Sequence, residues 1–179
     1  MKIEDGLIRT PIGSICFDVK ASSGEISNAE ISIAEIKPLL PDGMEVQGSI
    51  AALLTVVSPT QIKDLQFSCT WTDCDTRGDA CSGEGLDAWE WENTNQLVII
   101  GTEDGECLSS RLSLGEITRD NYPVLMDRNC IKINIEQYPA NKELTLHFVI
   151  SNNTLPEKED CSCWYAVDVA HNRVIEACR

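Results

Sequence analysis

The feature that most constrains this chain is a period-two alternation between Met44 and Val57. Met44, Val46, Gly48, Ile50, Ala52, Leu54 and Val56 project to one side of an extended backbone. Their neighbours change from Glu45, Gln47 and Ser49 to Ala51, Leu53 and Val57, so the strand begins half-exposed and ends apolar on both faces. That is the pattern of a central strand covered by another sheet or by a second subunit.

Alternation of the same period recurs along the chain. It is read at Leu7 to Ile12, at Ile15, Phe17 and Val19, and at Leu65, Phe67, Cys69 and Trp71, then at Trp89 and Trp91 and in the apolar run Leu97 to Ile100. Cys107 to Leu114, the segment carrying Cys163, Tyr165, Val167 and Val169, and Val174 to Cys178 also read as strands. Ile131, Ile133 and Ile135, then Pro139-Ala140-Asn141-Lys142, then Leu144, Leu146, Phe148 and Ile150 read as a hairpin. Between Glu25 and Leu40 a helical stripe and a strand both fit, and the density of β-branched residues favours the strand. Gly115 to Asn129 has no clean period and reads as a long loop or a helical turn. The expected fold is all-β and mainly antiparallel: a β-sandwich or jelly-roll-like barrel of about nine to eleven strands, with at most one or two short helices. At 179 residues, a single domain over 1–179 is expected.

One acidic, cysteine-bearing insert, Asp73 to Glu84, interrupts the pattern before the two tryptophans. It overlies the calcium-loop spacing, with Asp73, Asp75, Asp79 and Glu84 as candidate carboxylates and Gly78 at the turn. Arg77 stands where a further ligand belongs, and the flanks read as strands rather than helices, so calcium is weighed against an acidic surface loop. Nine cysteines are present, with no C-x2-C pair to announce a zinc knuckle. Cys74, Cys81, Cys161 and Cys163 are the disulfide candidates, a Cys74 to Cys81 bridge pinning the loop, with a four-thiolate metal site and buried thiols as alternatives. Trp89, Trp91 and Arg77 are candidate interaction residues, the tryptophans sharing one face and able to pack beneath the loop.

The chain has two histidines. His147 points to the same side of its strand as Thr145, and Asp168-x-x-His171 offers a carboxylate to an imidazole. Neither lies in a nucleophile elbow, phosphate loop or metalloprotease helix, and no catalytic residue is assigned. The formal charge of -15 opposes binding to nucleic acid or anionic membranes and favours a basic protein partner. No secretory signal and no membrane span is read, so synthesis in the cytoplasm is expected. The expectation is a non-enzymatic, oligomer-forming structural or protein-interaction sandwich such as a virion part (a phage capsid or tail decoration). The alternatives are an acidic inhibitor or immunity-type protein and a calcium-dependent binding module; no cofactor beyond that calcium is expected.

Overall fold

The computed structural model describes residues 1–22, 28–74, 76–127, 129–155 and 161–179. In chain order its strands are β1 (Lys2–Glu4), β2 (Leu7–Thr10), β3 (Gly13–Lys20), β4 (Ala29–Glu35), β5 (Gly48–Val57), β6 (Ile62–Trp71) and β7 (Asp79–Ala80). They are followed by β8 (Leu86–Asn93), β9 (Gln96–Glu103), β10 (Val124–Asp127), β11 (Cys130–Tyr138) and β12 (Glu143–Thr154). Helices α1 (Gly105–Leu112), α2 (Ser162–Val167) and α3 (His171–Cys178) complete the described elements.

The strands form two six-stranded antiparallel sheets packed as a sandwich, in the orders β1-β2-β3-β6-β11-β10 and β4-β5-β12-β9-β8-β7. The expected all-β sandwich is therefore what forms, with three helices rather than at most two. Alternation decides which residues meet between the sheets. Phe67 from the first sheet and Phe148 from the second place their ring centroids 5.0 Å apart, and Phe17 joins them at 6.1 and 6.4 Å. Burying each such ring contributes about 1.5–3 kcal/mol.

The two-faced strand finds its second cover within its own chain. Ile50, Leu54 and Val56 of β5 face the inter-sheet core, whereas Ala51 and Leu53 face outward into a second cluster with Cys163 and Val167 of α2, Val169, and Val174 of α3. No second subunit is needed to explain the double apolarity. Gly101 of β9 allows this close approach, because a Cβ there would stand 2.9 Å from Val167 Cγ2 and 3.0 Å from Leu86 Cδ1.

Several local expectations are corrected. The β5 strand starts at Gly48 rather than Met44. Ile131 to Ile150 is not a hairpin: β11 pairs with β6 and β10, and β12 with β5 and β9, so the connection crosses from one sheet to the other. The two isoleucine and leucine rows then face each other across the core instead of lying side by side, an arrangement that gives the same alternation. Three segments expected as strands are helices. In α1, Asp104 caps the first turn by accepting from Cys107 N at 2.7 Å, and Ser113 ends the helix in the left-handed region at φ 58°. In α2 the buried residues are Ser162, Cys163, Ala166 and Val167, a helical spacing that overrides the Cys163–Val169 alternation. Val174 is the fully buried side chain of α3 and seats it on the outer face of the second sheet.

Candidate functional site

The acidic insert leaves β6 at one end of the sandwich and is anchored there by packing. Asp73 accepts hydrogen bonds from the Ser14 backbone N at 2.5 Å and from Ser14 Oγ at 3.1 Å, which hold its carboxyl below the usual range and tie the loop to β3. Gly78 lies against the Trp91 ring, where a Cβ would meet Trp91 Cε2 at 2.5 Å, and Gly83 lies equally close to Trp164 Cζ2. Trp164 also donates from Nε1 to the Cys81 carbonyl at 2.7 Å. Two tryptophans thus brace the loop where a disulfide was expected. Among the described residues, which include all nine cysteines, none is joined in a disulfide, Cys74 and Cys81 included. Cys74 is buried, and burial with the nearby Glu90 pushes the Cys81 thiol up to about 12. Of the other pair, Cys161 is exposed just before α2 and Cys163 is buried within it.

The described calcium-loop carboxylates, Asp73, Asp79 and Glu84, have separate surroundings. Asp73 is engaged with Ser14, Asp79 lies on β7 directly opposite Glu90, and Glu84 is exposed on the turn before β8. Asp75 lies outside the described residues. Trp91 is buried edge-on against Trp71 with centroids 5.4 Å apart, while Trp89, on the same side of β8, is only half-buried. Trp89, exposed Arg77, Asp79 and Met126 line a cleft of about 880 Å³ at this end of the sandwich.

A second constellation sits on the outer face of the second sheet, where β9 and β12 adjoin. Continuing the register that pairs Val149 with Gly101 sets Glu103 opposite His147, and Thr145 follows on the same face two residues away. The first residue of α3, His171, lies over them. His147 Nδ1 and His171 Nδ1 are 2.8 Å apart, and Glu103 Oε2 is 3.8 Å from each. Arg111 of α1 holds that carboxylate from outside, donating from Nε to Oε1 at 2.9 Å and from Nη2 to Oε2 at 2.5 Å. The Thr145 hydroxyl is 2.8 Å from His171 Nε2. Burial, helped by His171 and Arg111, pushes the His147 imidazole well below its ordinary range, and burial with Arg111 pushes His171 to about 4. Both rings are neutral at pH 7. The close Nδ1 contact then needs one ring to donate a proton to the other.

Glu103 and His171 border a cleft of about 480 Å³ that also includes Cys107, Thr102 and Asp168. Cys107 is a poor nucleophile there, because burial and the carboxylates of Asp104, Glu103 and Glu106 push its thiol up to about 11. Asp168 does not partner His171 as the sequence suggested; its backbone N–H closes α2 onto the Trp164 carbonyl. The shared face of His147 and Thr145 was visible in the strand period. Glu103 carried no signal in the sequence, since only the β9–β12 register brings it to the histidines.

No family model and no curated protein matches this chain. A solved structure from the human microbiome, described as a candidate kojibiose phosphorylase, is similar over 84% of this chain and 18% of that one, at 14% identity and a TM-score of 0.36. The chain therefore spans under a fifth of that protein's length, and a likeness at this level bears on neither the fold nor the activity of this chain.

Proposed function

We propose that this protein is a non-enzymatic, acidic β-sandwich that works by binding a basic segment of a partner protein. One observation carries the reading. At the edge of the second sheet Asp79 and Glu90 stand directly opposite each other on the β7–β8 ladder, beside the cleft that half-exposes Trp89. Like charges in that position are destabilising by roughly 0.2–1 kcal/mol, and an incoming lysine or arginine side chain relieves the repulsion. Burial, then Glu92, then Asp79 push the Glu90 carboxyl up, as expected of a carboxylate lacking a cation beside it. Among the described residues no ion pair includes Asp79 or Glu90. Trp89 alternates with Glu90 and so projects from the other face of β8, where it lines the cleft and offers a flat apolar surface to another residue of the same segment. A formal charge of -15 speeds encounter with a basic partner over a long range.

The non-catalytic part of the reading is supported by the Cys107 thiol, which burial and the neighbouring carboxylates keep protonated. A tetra-arginine peptide titrated against the protein with tryptophan fluorescence as readout tests the proposal. Binding that weakens with salt and drops severalfold in the D79N/E90Q variant supports it. Equal binding by wild type and variant, or binding indifferent to salt, counts against it.

A further inference from the structure

We propose that Glu103 Oε2, His147 Nδ1 and His171 Nδ1 form a site for one divalent transition-metal ion, with zinc as the best fit. The three atoms converge. With separations of 2.8, 3.8 and 3.8 Å, the point equidistant from all three lies about 2.0 Å from each, the length of a zinc bond to imidazole nitrogen or carboxylate oxygen. Glu103 stands too far from either ring for a hydrogen bond, although it faces both. A proton shared by the two rings leaves that third side unbridged; a cation bridges all three.

The surroundings are those of a ligand set held from behind. Thr145 bonds His171 at Nε2, so that nitrogen can carry the ring proton and leave the Nδ1 lone pair free to coordinate. Arg111 clamps the Glu103 carboxylate from one side, its Nε shared between Oε1 at 2.9 Å and Oε2 at 3.1 Å and its Nη2 on Oε2, while the same Oε2 stands 3.8 Å from each imidazole Nδ1 on the other side. Side-chain exposures of 1%, 10% and 13% for His147, His171 and Glu103 keep most water away. Two imidazoles and one carboxylate suit zinc, whereas calcium and magnesium prefer all-oxygen sets. At the equidistant point the ion lies in the plane of its three ligands; as the rings part and Glu103 closes in toward separations of about 3.3 Å, a tetrahedral fourth position opens, and the cleft bordered by Glu103 and His171 has room for a water there. The ion would fasten the start of α3 to β9 and β12, fixing the C-terminal cover of the second sheet by a metal bond as well as by packing.

The proposal stands apart from the acidic loop and is tested without any partner. The full chain, stripped with a chelator and kept reduced, is titrated with cobalt(II) and, separately, with zinc(II) by calorimetry. The expected result is one ion per chain, visible cobalt bands without the near-ultraviolet thiolate-to-cobalt band, no competition from millimolar magnesium or calcium, and a higher melting temperature with zinc. His171→Asn, which removes a ligand, should weaken binding by more than Thr145→Val. The latter leaves every ligand in place and should weaken binding by about tenfold through loss of the outer hydrogen bond. The proposal is overturned if the wild type takes up no ion. It is equally overturned if a thiolate band dominates, or if both variants bind as the wild type does, since the ion then sits among cysteines.

Discussion

Replacing Gly101 by alanine probes the contact by which the C-terminal helices close the outer face of the second sheet. The new methyl would stand 2.9 Å from Val167 Cγ2 and 3.1 Å from Val167 Cβ, closer than carbon atoms pack. Val167 is 1% exposed, so α2 has to lift away. Overpacking of this kind costs about 1–3 kcal/mol. Part of it is offset by the roughly 0.5–1 kcal/mol that alanine gains over glycine inside a strand, leaving a net loss of about 0–2.5 kcal/mol. Val167→Ala alone removes two buried methyls, worth about 0.8 kcal/mol each before any cavity term, so about 2 kcal/mol is expected. In the double variant the 2.9 Å contact with Val167 Cγ2 is gone while those with Val167 Cβ and Leu86 Cδ1 remain, and the combined loss falls short of the sum by about 1 kcal/mol. Urea unfolding at pH 7 measures all four proteins, and equal slopes license the comparison. Additivity to within about 0.5 kcal/mol would refute the reasoning, because α2 would then not rest on Gly101.

Three further outcomes follow from the same packing. Trp164→Phe removes the 2.7 Å bond to the Cys81 carbonyl and should cost about 1 kcal/mol, with faster amide hydrogen exchange confined to the 76–85 loop. Burial raises the Asp87 carboxyl pKa in the folded protein, so the folded state holds that proton more tightly than the unfolded chain, and stability falls as pH rises from about 3.9 through the raised value. Asp87→Asn, which keeps an acceptor for the Tyr122 hydroxyl, should lose that part of the fall, so its profile is shallower than the wild type's over the window and it is the more stable above it; parallel pH profiles of the two would contradict this. Iodoacetamide at neutral pH should label exposed Cys161 before Cys107, whose thiol is pushed up to about 11, and should leave buried Cys69 and Cys130 untouched until unfolding; peptide mass spectrometry reads the order.

The sandwich was legible because side chains on a strand alternate, and two-sheet packing turns that alternation directly into inside and outside. Phe67 and Phe148 meet as their patterns require. What alternation cannot encode is which neighbour a strand takes. Ile131 to Ile150 has the same pattern as a hairpin in one sheet and as an arch between two, and the β11–β6 and β12–β5 pairings select the arch. Short helices were hidden for a related reason. In α1, Leu108 and Leu112 are four apart, a spacing shared by helix and strand, and the deciding signal was Asp104, a capping residue just ahead of the segment. At the histidine cluster the strand period revealed the shared face of Thr145 and His147 but not their partners. Glu103, Arg111 and His171 come from three other elements, and only register and the fold of α3 over the sheet assemble them.

The claim that recognition resides at the acidic end of the sandwich is tested most directly by mapping amide chemical shifts while tetra-arginine is added at low salt. The account predicts changes concentrated at Asp79, Trp89, Glu90 and Glu92 that disappear as salt is raised. Changes spread evenly over all exposed carboxylates, or centred on the outer face beneath α3, would contradict it.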